Sequence, residues 1–211
     1  GDAHRLTDCR NEGAITVTMA PGSRYPGGSG QGGLGGVTGS VTSDAVLARC
    51  VNTGTITAGR AAGVGGIAGR LDGGSITVTQ CANQGAVSND TAASLLRRGG
   101  TGGIAGRLAG VMTKCANYGA VGGADRYTGG LAGYTTARNK TTILASKNEA
   151  AVSSSNTETR AATGAIVGNA QNLIWGGCTA AGGSLPQLGR SGKVSEKTTA
   201  ETCPDYTARE A

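Results

Sequence analysis

Residues 63–87 read GVGGIAGRLDGGSITVTQCANQGAV, and residues 102–121 repeat much of that pattern as GGIAGRLAGVMTKCANYGAV. Two signatures recur in both stretches: a glycine-rich G-G-[ILV]-x-G and, after it, C-x-N-x-G-x-[IV]. The segment ITVT between them alternates with period two and contains β-branched residues, as strands do. Glycine at this density would cost a helix about 1 kcal/mol per residue relative to alanine. The stretch therefore predicts repeated β-structure.

The C-x-N-x-G-x-[IV] signature recurs along most of the chain. Complete copies begin at Cys9, Cys50, Cys81 and Cys115, a degenerate copy begins at Ser146, and a fading copy keeps Cys178. Successive Cys positions are separated by 41, 31, 34, 31 and 32 residues. An apolar residue stands three positions before each of the last five: Leu47, Val78, Met112, Ile143 and Trp175. Such short repeats cannot bury an apolar face alone, so they must stack on their neighbours.

The repeat predicts an all-β chain, namely a right-handed parallel β-solenoid (β-helix) of about five coils with three short strands per repeat. We divide the chain into repeats over residues 1–182 and a C-terminal cap or linker segment over residues 183–211. The glycines are expected to occupy turns and to let backbones approach closely inside a narrow core.

Equivalent residues of a solenoid lie in register from coil to coil. Each signature asparagine is therefore expected to bond its neighbour in an amide ladder. Cysteine is a small and easily buried residue, so the Cys positions predict an inward-facing row of free thiols. The predicted structural ladder comprises Cys9, Cys50, Cys81, Cys115, Cys178, Asn11, Asn52, Asn83, Asn117 and Asn148. Cys203 lies outside the repeat, and Cys178–Cys203 is the pair that we expect if a disulfide forms.

The alternation of the two signatures resembles the GLUG-type repeats of bacterial surface proteins, which are frequent in adhesin-like proteins of Bacteroidetes. The resemblance covers about residues 9–182, and the chain departs from the pattern at Ser146, Ala150 and Ala165. It implies a secreted or cell-surface bacterial protein and carries no catalytic residues. The chain begins at Gly1 without a signal peptide, and we interpret it as a mature or excised fragment.

Composition narrows the classes of partner. The chain has 211 residues, of which 40 are glycine, 3% are aromatic and 15% are charged, with a net charge of +6. The basic excess is compatible with anionic glycans, while the few aromatics argue against stacking on nucleic-acid bases. No apolar run approaches the length of a membrane span. With no CxxC and one histidine, the sequence predicts no metal site and no cofactor.

The connections between the two signatures vary in length, over residues 16–34, 57–64, 88–101, 122–128 and 153–163. Insertions at one point of a solenoid repeat emerge on one edge, which often carries function. Arginine offers paired donors to anionic groups and tyrosine offers a stacking face. The candidate ligand-binding residues on these loops are Arg24, Tyr25, Arg60, Arg97, Arg98, Arg126, Tyr127 and Arg160. Alternatively, the arginines only solubilise a glycine-rich edge.

A second group, Arg70, Arg107 and Tyr134, follows the glycine signature directly, and we interpret it as solvated residues at strand ends. The acids are scattered, without the facing pair that glycoside hydrolysis requires, and the lone histidine has no triad partners. The sequence therefore predicts no enzyme. Threonines in ITVT suggest a flat binding surface, but their rows are not kept in every repeat.

The predicted function is a non-catalytic, adhesin-like module that presents the Arg/Tyr loop edge to an anionic glycan or a host surface protein. The alternative is a structural spacer, or a filament subunit that self-associates through the open ends of its coils.

Overall fold

The computed structural model describes residues 3–18, 32–59, 61, 63–90, 99–181 and 183–206. Over these ranges the regular structure is entirely β, in strands of two to four residues. The strands pair in parallel into five sheets, which run the length of a solenoid. We name the sheets A to E in the order in which the chain enters them within one coil. The predicted fold class is confirmed.

Sheets A and E have the longest strands, of three or four residues, and enclose most of the core. Sheet A contains His4–Thr7, Ala45–Ala48, Ile76–Thr79, Val111–Thr113, Thr141–Leu144, Leu173–Gly176 and Val194–Glu196. Sheet E contains Thr38–Val41, Ala68–Leu71, Ala105–Leu108, Ala132–Thr135, Val167–Ala170 and Leu188–Ser191.

Sheets B, C and D complete each coil. Sheet B contains Arg10–Asn11, Val51–Asn52, Ala82–Asn83, Ala116–Asn117, Lys147–Asn148 and Thr179–Ala180. Sheet C contains Ile15–Val17, Ile56–Ala58, Val87–Asn89, Val121–Gly123 and Val152–Ser154. Sheet D contains Gly33–Gly35, Gly63–Gly65, Thr101–Gly102, Tyr127–Gly129 and Ala162–Gly164.

Each complete coil thus has five short strands, so the expected three strands per repeat is wrong. The extra strands arise because glycines inside both signatures act as corners. A Cβ on Gly54 would lie 2.0 Å from the carbonyl oxygen of Gly13 in the preceding coil, and one on Gly66 would lie 2.4 Å from that of Gly103 in the following coil. Every sheet carries at least five strands, which is close to the predicted number of coils.

A left-handed residue forms the corner between sheets A and B in every coil. Asp8, Arg49, Gln80, Lys114 and Ala145 each stand just before a Cys position and adopt φ between 47° and 56°. Gly177 does the same before Cys178, with φ of 60°. Left-handed backbone costs a residue with a Cβ roughly 1–2 kcal/mol, so stacking must impose this corner.

The interior has two parts. The main lobe lies inside sheets A and E and contains the predicted apolar positions Leu47, Val78, Met112 and Ile143, all fully buried. The narrow lobe lies between sheets C and D. Its apolar lining is Ile56, Ala58, Ala61, Val64 and Val87.

Sheets D and E pack against each other through glycine. A Cβ on Gly69 would lie 2.2 Å from the backbone nitrogen of Leu34, and one on Gly106 would lie 2.2 Å from that of Val64. Real Cβ atoms do not approach other atoms so closely. The expected close approach of backbones at the G-G-[ILV]-x-G signature is therefore confirmed.

The C-terminal residues continue the solenoid and then fold back over it. Leu188–Ser191 joins sheet E and Val194–Glu196 joins sheet A. Further on, Tyr206 is buried against Ala82 and Ala116 of sheet B. Its hydroxyl donates to the carbonyl of Lys114 at 2.6 Å, and its backbone N–H donates to the Tyr118 hydroxyl at 2.9 Å. Within the ranges given above, no helix is long and apolar enough to cross a membrane.

Candidate functional site

The signature asparagines form one continuous row through the solenoid. Asn11, Asn52, Asn83 and Asn117 each donate from Nδ2 to Oδ1 of the next asparagine at 2.7 Å, and the row ends at Asn148. Each amide also donates to the backbone carbonyl two residues later, at 2.8–2.9 Å. From Asn52 to Asn148 the row saturates amides that water cannot reach, whereas Asn11 at its end is partly exposed, so the role of the row is structural.

The glycine signature explains why this row fits. The side-chain Cγ atoms of three asparagines lie where a Cβ of the signature's second glycine would stand. The distances are 2.2 Å for Gly66, 2.2 Å for Gly103 and 2.3 Å for Gly130. The second glycine of one signature therefore packs against the asparagine of the other, which explains why the two signatures recur together.

The Cys positions line the corner between sheets A and B. Cys50, Cys81 and Cys115 are fully buried, whereas Cys9 and Cys178 at the two ends are half-buried. The buried thiols donate to carbonyl oxygens of the preceding coil at 3.3–3.7 Å. All six cysteines are free thiols in the structure.

These thiols are poorly suited to act as nucleophiles. The contact with Cys81, followed by burial, raises the pKa of Cys50 far above its usual value. Burial likewise raises the pKa of Cys178, and that of Cys203 to about 11. Because the thiolate is the reactive form, thiols with raised pKa values are inert at neutral pH.

Most of the predicted Arg/Tyr loop edge cannot be placed. Arg24, Tyr25, Arg60, Arg97 and Arg98 lie outside the described residues. Of the remaining three, Arg126 and Tyr127 stand at the start of a sheet D strand, and Arg160 is exposed at the turn before the next one.

A different set of side chains meets Tyr127. One position is in register through five successive strands of sheet E. It is occupied by Ser40, Arg70, Arg107, Tyr134 and Asn169. The Arg70 side chain lies against the sheet D strand at Gly63, where the glycine leaves room for it. A Cβ on Gly63 would lie 2.8 Å from Cγ of Arg70.

The arginines of this row are bound to one carboxylate. Arg70 and Arg107 both pair with Asp72, and Nε of Arg107 lies 2.5 Å from its Oδ1. The three side chains are only 11–15% exposed, and burial lowers the pKa of Arg107. The interpretation of Arg70 and Arg107 as solvated strand-end residues is therefore wrong. Asp72 offsets part of the cost of burying them.

Two tyrosines extend the row. The rings of Tyr127 and Tyr134 stack with centroids 5.4 Å apart and an interplanar angle of 18°. The guanidinium of Arg107 lies 5.6 Å from the Tyr134 ring centroid, and that of Arg126 lies 5.8 Å from the Tyr127 centroid. We call this set the Arg–Tyr face: Arg70, Asp72, Arg107, Arg126, Tyr127 and Tyr134.

The face combines three guanidinium groups with one carboxylate, so it has an excess of positive charge. A guanidinium stacked on a ring keeps its N–H edges directed sideways, where they can bind a planar anion in pairs. Nε of Arg126 is buried and has no hydrogen-bond partner among the described residues. Tyr127 is buried, so the stacking surface of this arrangement is the partly exposed Tyr134 ring, beside which a carboxylate or sulfate can bind.

Sequence reasoning missed Asp72 as the partner of both arginines. The signal was the repeated AGRL of residues 68–71 and 105–108, because identical residues in adjacent coils lie in register. A single acid two residues after the first arginine can reach both. No group of three His, Cys, Asp or Glu side chains among the described residues could hold a metal ion.

No protein-family model matches the chain, and no curated protein matches its sequence. One solved structure with the same fold is that of a putative immunoglobulin A1 protease from Bacteroides ovatus. It is 19% identical, with a TM-score of 0.53, over 94% of this chain and 68% of that chain. At this identity the likeness establishes the fold alone.

Proposed function

We propose that the chain is a non-catalytic module of a secreted or cell-surface bacterial protein, and that its Arg–Tyr face binds anionic glycans. The carrying observation is the line of contacts from Asp72 through Arg107 and Tyr134 to Tyr127 and Arg126. Glycans with carboxylate or sulfate groups match this chemistry, since arginine binds the anion and tyrosine packs against the sugar ring.

The setting rests on two separate likenesses. The repeat signatures resemble the GLUG-type repeats of bacterial surface proteins, and the fold resembles that of a Bacteroides ovatus protein. Because that neighbour is named as a putative protease, proteolysis is an alternative function to test. The raised pKa values of the buried thiols argue against a cysteine nucleophile here. Incubation of the chain with immunoglobulin A1, followed by electrophoresis, checks the non-catalytic proposal, which intact substrate supports.

The binding proposal is tested on an array of sulfated, sialylated and neutral glycans at two salt concentrations. We expect retention on the acidic glycans, weaker at high salt because charges on both partners are screened. Arg126→Gln is expected to reduce retention at least tenfold without lowering the melting temperature. Arg138→Gln, at an exposed arginine elsewhere in the same coil, is the matched control. Equal retention of wild type and Arg126→Gln would contradict the proposal.

Self-association is the second candidate, and the first coil favours it. Leu6, Cys9, Ile15, Leu34 and Val37 are only partly buried, whereas their counterparts in the next coils are buried. At the other end, the strands after residue 187 add to sheets E and A, and the chain then folds back as far as Tyr206 on the third and fourth coils. This asymmetry favours a closed dimer through the N-terminal coils over an open filament. Light scattering over a range of concentrations separates a monomer, a dimer and a growing assembly.

A further inference from the structure

The narrow lobe changes character along the solenoid. In sheet C, Ala58 is followed in register by Asn89 and then by Gly123. In sheet D, Val64 is followed by Thr101 and then by Thr128. Asn89, Thr101 and Thr128 are fully buried. The apolar lining of the early coils thus gives way to polar side chains that water does not reach.

A buried carboxylate lies among these side chains. Asp125 is fully buried, and its Oδ1 accepts a hydrogen bond from the backbone N–H of Arg126 at 2.7 Å. Its Oδ2 accepts one from Nδ2 of Asn89 at 3.2 Å. No ion pair within the described ranges includes it. A buried carboxylate normally has a cationic partner or binds a metal ion, because desolvation of the charge is costly.

Three further oxygen atoms of the lobe are unsatisfied. Asn89 Oδ1, Thr101 Oγ1 and Thr128 Oγ1 are buried and have no hydrogen-bond partner among the described residues. The orientation of the Asn89 amide follows from its nitrogen, which donates both to Asp125 and to the Ala61 carbonyl. Its oxygen is therefore the atom left for a ligand. Native proteins satisfy such groups with bound water or ions.

The narrow lobe is packed less closely beside Gly123 than the solenoid is at its signature glycines. A Cβ on this glycine would lie 3.3 Å from Thr101 Oγ1 and 3.4 Å from the Asn89 carbonyl oxygen, with nothing nearer. At Gly66 and Gly103 the same atom would meet a neighbour at 2.2 Å. Contacts of 3.3–3.4 Å are tight for a Cβ, yet they are looser than those at either signature glycine.

We propose that this part of the narrow lobe binds a monovalent alkali cation, with Na⁺ as the representative ion. Its ligands are the Asp125 carboxylate, Asn89 Oδ1 and Thr101 Oγ1. A set made only of oxygen atoms selects hard cations over transition metals, and one carboxylate balances one positive charge. Burial raises the pKa of Asp125 to about 7, so the carboxylate is largely ionised at pH 8, where a cation would bind it.

The test is thermal unfolding at pH 8 in NaCl and in choline chloride of equal ionic strength. Choline is too large to enter the narrow lobe, and both salts screen charges equally. A difference in melting temperature between them therefore reports sodium binding. We expect NaCl to raise the melting temperature of the wild type saturably, by about 3–6 °C at ten times the dissociation constant. Asp90→Asn, at an exposed acid beside Asn89, is expected to keep this response. Asp125→Asn is expected to lose it.

A second variant keeps the proposal falsifiable if Asp125→Asn does not fold. Thr101→Val places in sheet D the residue that the preceding coil has at Val64, so folding is expected. It removes one ligand and is expected to raise the Na⁺ midpoint at least tenfold. Equal melting temperatures of the wild type in both salts would overturn the proposal and leave water in the lobe. A sodium response that persists in Asp125→Asn would overturn it as well.

Discussion

The main lobe and the narrow lobe of the same solenoid follow different rules. In the main lobe, Leu47, Val78 and Met112 succeed one another as apolar side chains of similar size. In the narrow lobe, Val64 is succeeded by Thr101 and Thr128. The segments that enclose the main lobe keep nearly constant length, whereas the connections next to the narrow lobe vary. Side chains are therefore similar from coil to coil where the segments have nearly constant length, and they differ where the connections between strands vary in length.

The largest effect is expected where both signatures meet. Gly66→Ala would place a Cβ 2.2 Å from Cγ of Asn83 and 2.4 Å from the carbonyl oxygen of Gly103. Because backbone and an amide in the row cannot both move aside, we expect a loss of roughly 4 kcal/mol or more in the free energy of unfolding. Denaturant titration measures it. Gly183→Ala, with no atom within 4 Å, is the control and is expected to change little.

Substituting one asparagine in the amide row and one in the narrow lobe compares the two regions at single side chains. Asn83→Ala removes the Oδ1 acceptor of the Asn52 amide and the Nδ2 donor to the Asn117 oxygen, and is expected to cost about 2–4 kcal/mol. Asn89→Ala in the narrow lobe removes hydrogen bonds to the Ala61 carbonyl and to Asp125 but interrupts no row of amides, and the preceding coil has Ala58 there. It is expected to cost less than Asn83→Ala, about 1–2 kcal/mol. Equal losses by denaturant titration would refute the distinction between the lobes.

The stability of the narrow lobe is expected to depend on pH. Burial raises the pKa of Asp125 to about 7, well above the usual range of a carboxyl group, so between about pH 4 and pH 7 the folded chain retains a proton that the unfolded chain has lost. Stability from this group is therefore complete below about pH 4 and lost as the pH rises through 7. Without sodium, Asp125→Asn is expected to be more stable than wild type at pH 8 by about 1–4 kcal/mol. The gain should be absent at pH 4, and an equal gain at both pH values would contradict the assignment.

The smallest effect is at the corner between sheets A and B. Gln80 has φ of 55°, which glycine adopts without a Cβ clash. Gln80→Gly is expected to stabilise the fold by about 1 kcal/mol. Ala86→Gly, at an exposed position without a left-handed φ, is expected to destabilise it by about 0.5–1 kcal/mol. Thermal unfolding of both variants checks the sign, and a loss at both positions would show that the corner is not strained.

The repeat alone predicted the solenoid, because one-per-coil positions such as Leu47 and Asn83 must stack if the coils are parallel. It did not predict the five sheets, since a glycine in a signature does not reveal whether it bends the chain. Nor did it predict the corner at Gln80, where stacking overrides residue preference. The roles of Asp72 and Tyr206 depend on contacts between coils or across the whole fold, which no local pattern encodes.

The Arg–Tyr face differs from coil to coil, and Tyr134 is the residue at which the fourth coil departs from the arginines before it. The variant Tyr134→Ser gives the fourth coil the residue that Ser40 supplies in the first, and it removes the partly exposed ring without changing the charge. Its retention on the acidic glycan array, at a salt concentration where wild type binds, tests the role of the Arg–Tyr face directly. We predict a melting temperature within a few degrees of wild type and retention lowered at least tenfold. Undiminished retention by the folded variant would contradict the assignment of binding to this face.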